Sequence, residues 1–166
     1  MSSPRASSLL ALSLLAVGSL AACPSTDDVA DVDASPACIE AESHSDLAWI
    51  QPKILTPSCA NFTACHQGAA SQAGGLDLTE GHARANLVDV ASSRFAEWKL
   101  VVPNQPAMSY LMVVLGQYPG PLDPEIGTMP YNSRLLCKEK RDAIERWIAA
   151  GAPESSPVDA GVDAPP

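Results

Sequence analysis

Basic residues are scarce in this chain: ten lysines and arginines stand against nineteen aspartates and glutamates, a net charge of −9 over 166 residues. That balance excludes nucleic acid as a partner, because such binding draws most of its affinity from Lys and Arg contacts with phosphates. A bilayer-spanning run is missing too. About 20 consecutive apolar residues are needed to cross a membrane, and the run from Leu9 through Val17 falls well short of that. Nor is there a catalytic constellation: Ser58 and Ser71 near His66 make no triad, and Asp77 with Glu80 reads as turn and helix-start chemistry. The chain is therefore expected not to be an enzyme.

What the N-terminus does hold is an export pattern. Arg5 is the only charge before the apolar run, and the small-residue site Leu20-Ala21-Ala22-Cys23 follows it. These features predict a signal peptide over residues 1–22. Leu-Ala-Ala-Cys also resembles the lipobox of bacterial lipoproteins, which implies that Cys23 becomes the acylated first residue of the mature chain. Pro24, in place of Asp, resembles lipoproteins sorted onward to the outer membrane. The expected location is the cell envelope, facing the periplasm. Loss of Arg5 would leave nine basic residues against nineteen acidic, a net charge of −10.

Residues 23–37, with Asp27, Asp28, Asp31 and Asp33 and no helical periodicity, read as an acidic tether. Residues 154–166 repeat a Val-Asp-Ala theme with no apolar face and read as a disordered tail. Between them, residues 38–153 are long enough for a single modest core. Helical signals run from Asp46 to Leu55, limited or kinked by Pro52, then near His82 to Val90, Met108 to Leu115, and Glu139 to Ala150 ending at Gly151. In the last of these, Ile144, Trp147 and Ile148 share one face. The expected fold class is all-α: a small helical domain with long loops, flanked by disordered termini.

The chemistry is concentrated at Cys59 and, after five intervening residues, Cys65-His66. A Cys-Cys-His cluster of this kind reads as a widened c-type haem attachment site, in which two thiols bond to the porphyrin and the adjacent histidine ligates iron. Two intervening residues, the usual spacing, put both sulfurs on one helical face at roughly 3.6 residues per turn. Five would turn them apart along a regular helix. The segment Ala60 to Ala64 is therefore expected to loop out, with Asn61 and Thr63 suited to an irregular turn. Downstream, Thr128-Met129-Pro130 lies at the end of the Pro- and Gly-rich stretch Gly120 to Pro130, a loop that could carry Met129 to the iron.

Taken with Gly74-Gly75-Leu76-Asp77-Leu78, with Leu100 to Leu111 and with Ala143 to Pro153, these motifs resemble a bacterial monohaem cytochrome c domain over about residues 46 to 153. The likeness is to the cytochrome c-like domains of exported proteins in myxobacteria and planctomycetes. It implies one haem c, thioethers at Cys59 and Cys65, His66 as proximal ligand and Met129 as distal ligand. It also implies electron transfer with a redox protein partner, which the acidic surface would favour as basic or neutral. The five-residue spacing departs from the pattern and bears on attachment through Cys59.

Other readings stay open. Cys59 and Cys65 could close a local disulfide in an oxidising compartment, giving a haemless, disulfide-stapled envelope lipoprotein with a binding or structural role. A zinc site from Cys59, Cys65, His66 and a further cysteine is also conceivable, although structural zinc sites prefer shorter spacings. Met129 could simply fill the core, as could Met108 and Met112. His44 and His82, expected to face solvent, are the fallback distal ligands. With Cys23 acylated and Cys59 and Cys65 on haem, Cys38 and Cys137 would remain as a disulfide pair, while other pairings are compatible with the sequence.

Overall fold

The computed structural model describes residues 35–68 and 73–154. The expected signal segment 1–22, Cys23, most of the tether and the tail beyond Glu154 lie outside the described residues.

The chain enters through α1 (Pro36–Ala41), where the Ser35 hydroxyl accepts from the Cys38 amide and Pro36 opens the first turn, whose amide needs no partner. Asp46 caps α2 (Leu47–Ile50) by accepting from the Trp49 amide at 2.8 Å. A helix meeting a proline must break, kink or change register, because the ring displaces the carbonyl four residues back. Here the register widens. Gln51–Leu55, with Pro52 in its first turn, forms a π-helical turn that passes into α3 (Thr56–Ser58). The expected limit at Pro52 is thus a change of winding, and the helical run continues to Ser58.

After a long turn region come α4 (Ala83–Leu87), a 3-10 turn at Pro106–Met108 and α5 (Tyr110–Val114). The only long helix among the described residues is α6 (Lys138–Ala149), 12 residues. It ends where Gly151, at φ +93°, donates to the Ile148 carbonyl while Ala152 donates to Trp147, the paired closure that favours glycine after a helix.

Helix α6 organises the core. Its Ala143, Ile144, Trp147 and Ile148 are buried together with Ile50, Ile54 and Leu55 of the first helical run, Leu87, Val101, Met112 and Leu115. Arg146 ties the same helix to the end of α1 by donating to the carbonyls of Ala41 at 2.7 Å and His44 at 2.8 Å. A disulfide joins Cys38 in α1 to Cys137, the residue capping α6, across 99 positions.

The all-α expectation is not met. Only 38% of the described part is helical, in short pieces, and most of it is turn and loop. The stretch from Val88 to Ser109 pairs backbone to backbone instead, through isolated bridges Val88 to Val101, Ala91 to Lys99 and Lys99 to Ser109. The physical reason is punctuation: 15 prolines and 10 glycines interrupt the chain too often for long helices. The domain is a loop-rich, irregular one in which one helix and one composite helical run bury a core. One residue expectation changes, Met108 being 55% exposed rather than in the core; His44 stacks flat on Trp49 at 4.4 Å and stays partly exposed. His82 is exposed at the start of α4, as expected.

Candidate functional site

Cys59 lies just beyond α3, its amide bonded to the Leu55 carbonyl at 2.9 Å, and it packs against the core while keeping part of its surface exposed. Ala60 donates to the same carbonyl and is buried, which fixes the exit of the helical run. The next residues, 61 to 64, are all exposed and turn back on themselves, with the Cys65 amide donating to the Phe62 carbonyl at 2.9 Å. The His66 amide then donates to the Cys59 carbonyl at 3.1 Å. The five-residue insert is therefore an excursion whose two ends meet. Backbone bonds hold it closed.

The two thiols are free and only partly exposed. Burial pushes the Cys59 thiol up to about 12, and the nearby Cys65 adds to the shift. Among the described residues the one trio of Cys, His, Asp and Glu donors that lie within 4.8 Å of one another is Cys38, Cys137 and Glu139, whose sulfurs are already joined. Cys59, Cys65 and His66 do not converge as tightly as a tetrahedral zinc site demands.

His66 Nδ1 lies 3.2 Å from the Leu76 carbonyl. A carbonyl can only accept, so Nδ1 carries the hydrogen and Nε2 keeps its lone pair. A metal-ligating histidine has this arrangement, with the far ring nitrogen donating to a carbonyl or carboxylate and the near one left for the metal. Burial lowers the pKa of His66 and the Leu76 carbonyl partly opposes it, which favours the neutral, ligating form.

Three successive residues brace this ring. Besides Leu76, the Leu78 amide donates to the His66 carbonyl at 2.9 Å, and Asp77 Oδ1 accepts from the Gly68 amide at 3.1 Å. Gly74 and Gly75 turn the chain toward them with φ of +66° and +74°, and a side chain at Gly74 would strike the Ser93 hydroxyl at 2.7 Å. Buried Gln51, in the π-helical turn, donates to the Leu78 carbonyl at 3.0 Å and so links the brace to the first helical run.

Met129 arrives on the far loop. Asp123 shapes that loop by accepting from the amides of Glu125 and Ile126, and Arg94 pairs with Asp123 at 3.3 Å. The Met129 amide donates to the carbonyl of Val114, the last residue of α5, at 2.7 Å, and its side chain is half-buried against the same core that Cys59 and Leu76 touch. The structure thus brings the chain at Cys59 back to Cys65 and His66 through the closed loop, while Met129 packs on the core cluster that Cys59 also touches. His44 is engaged elsewhere, its Nδ1 3.3 Å from Asp46. Two clefts, of about 450 Å³ beside Gln117, Asp142 and Glu145 and about 360 Å³ beside Gln51, Glu80 and Arg84, lie away from these residues.

Sequence reading missed the Leu76 carbonyl, and it read Asp77 as turn chemistry, which the bonds to Thr79 match, without the bond to Gly68. The signal for them was the Gly-Gly-Leu-Asp-Leu-Thr run, where paired glycines force a turn and an aspartate two residues before threonine favours a local hydrogen-bonded bend.

Comparison with protein-family models, with curated proteins and with solved structures finds no match to this chain. Among the described residues no helix is long and apolar enough to cross a membrane.

Proposed function

We propose that the protein is a membrane-tethered monohaem c-type electron carrier, with haem attached through Cys65 and Cys59 and its iron held by His66 and Met129. The observation that carries this reading is the His66 ring: next to a free thiol in the sequence and hydrogen-bonded at Nδ1 to a backbone carbonyl, which leaves the lone pair on Nε2. The donor set fits the group. Two unoxidised thiols, an imidazole bonded at Nδ1 to a carbonyl and a thioether packed on the core that Cys59 also touches are compatible with covalent haem and His/Met ligation.

Cys59 and Cys65 would tether haem through thioethers, each thiol adding its sulfur and its hydrogen across a vinyl group. No oxidant is consumed. Haem c supplies, when bound, an iron that takes up and gives back one electron. His66 would hold the iron through Nε2, and Met129 would offer a soft thioether, which favours the ferrous state and raises the potential relative to two imidazoles. With both His66 and Met129 given over to holding iron, the site would serve electron transfer rather than substrate chemistry. Lipidation at Cys23 would hold it at the envelope, on the outer membrane, and the acidic surface would select a basic or neutral redox partner.

The test is expression with a cytochrome c maturation system, followed by reduced-minus-oxidised visible spectra of the wild type and two variants. His66→Ala abolishes haem incorporation. Met129→Ala keeps haem and lowers its potential. An unchanged spectrum in His66→Ala contradicts the ligand assignment. The rival, a haemless disulfide-stapled envelope domain, draws on the Cys38 to Cys137 bridge alone.

A further inference from the structure

The role of Asp77 deepens the haem reading and rests on it. Its Oδ1 accepts three hydrogen bonds, from the Thr79 hydroxyl at 2.7 Å, the Thr79 amide at 2.9 Å and the Gly68 amide at 3.1 Å. The two bonds to Thr79 are local turn chemistry, of a kind that aspartate makes wherever the chain bends. The third is not local. Gly68 stands nine positions away, two residues past His66, and holds φ +77°, a left-handed conformation. The carboxylate thus clasps the chain leaving His66 to the chain leaving Leu76.

On either side of that clasp lie the two contacts that fix the ring, Leu76 carbonyl to His66 Nδ1 and Leu78 amide to His66 carbonyl. Residues 76, 77 and 78 therefore grip residues 66 and 68 in register. Without the central grip, the segment is held to His66 only by the Leu76 bond at 3.2 Å and the Leu78 bond at 2.9 Å.

We propose that Asp77 is the positioning residue for the haem ligand: by bonding Gly68 and Thr79 together it keeps the Leu76 carbonyl on His66 Nδ1, locks the ring as the Nδ1–H tautomer and presents Nε2 to iron. A negatively charged acceptor suits this work, since hydrogen bonds to an ionised group are roughly twice as strong as neutral ones. A histidine whose far nitrogen donates to a carbonyl is a more basic ligand, and a more basic ligand stabilises the ferric state.

The experiment uses nitrogen-15-labelled, haem-free full-length chain, in which the tautomer of His66 is read from its ring nitrogen shifts. The wild type shows the Nδ1–H form. Asp77→Ala moves His66 toward the Nε2–H form that an unconstrained side chain prefers, whereas Asp77→Asn, which retains the acceptor oxygen, keeps the wild-type tautomer. An Asp77→Ala protein that folds and still holds the Nδ1–H form overturns the proposal. Because that variant could fail to fold, the wild type provides a second check: the Gly68 amide exchanges more slowly than in an unstructured peptide, and exchange at the peptide rate also overturns it. In haem-loaded protein, Asp77→Ala raises the potential. Absence of haem from the wild-type chain would sink the haem reading while leaving the tautomer comparison intact, so the two failures are distinguishable.

Discussion

Cys59 and Cys65 differ in setting although both are free. Cys59 sits against the core with its thiol pushed up to about 12, chiefly by burial, whereas an ordinary thiol titrates at about 8.5. Fewer thiolates form at neutral pH, and the rise in intrinsic nucleophilicity that accompanies a higher pKa offsets only about half of that deficit. Native, haem-free Cys59 should therefore alkylate on the order of 10- to 100-fold more slowly than the same residue in urea. Mass spectrometry of peptides after timed iodoacetamide treatment checks this, and equal rates would place Cys59 outside the core. At this scale the sequence was informative about identity and silent about setting. The need for Ala60 to Ala64 to loop out was legible because it follows from residue type and spacing. The carbonyl of Leu76 was not, since every residue has one and only the fold decides which faces a ring.

Among elements, α6 was the most legible, because apolar residues three and four apart mark a helix face and Gly151 marks its end. The glycine is required by conformation more than by space: its φ is +93°, and a Cβ would meet Asn104 Oδ1 at 3.4 Å, an ordinary contact. Gly151→Ala should cost about 1 kcal/mol, seen as a lower urea midpoint at unchanged slope. A loss near zero would mean that the closure onto Trp147 and Ile148 contributes nothing. The first helical run was legible in part. Proline at 52 signals disruption, but whether a chain stops, kinks or widens its register is settled by burial of the residues just beyond it, here Ile54 and Leu55. Least legible was Val88 to Ser109, whose bridges join single residues rather than strands and leave no period to detect. That stretch, with the short helices, is why an all-α expectation fails.

The whole molecule depends on one long covalent tie. The Cys38 to Cys137 disulfide closes a loop of 99 residues and fastens α1 to α6, where Arg146 adds bonds to the α1 carbonyls. In the chain-entropy account a loop of that length contributes about 4 to 5 kcal/mol. The paired change Cys38→Ser with Cys137→Ser should lower unfolding free energy by an amount of that order in urea titration. A far smaller loss would mean that non-covalent packing of α1 on α6 suffices.

The central claim is that this irregular domain carries covalent haem at Cys65-His66. The most direct measurement is the mass of the chain purified from cells with a cytochrome c maturation system, taken after denaturation and paired with a pyridine haemochrome spectrum. The account predicts a polypeptide heavier by one haem, with the chromophore retained through denaturation and lost in His66→Ala. A chain of unmodified mass, colourless and with Cys59 and Cys65 still free or joined to each other, would contradict it.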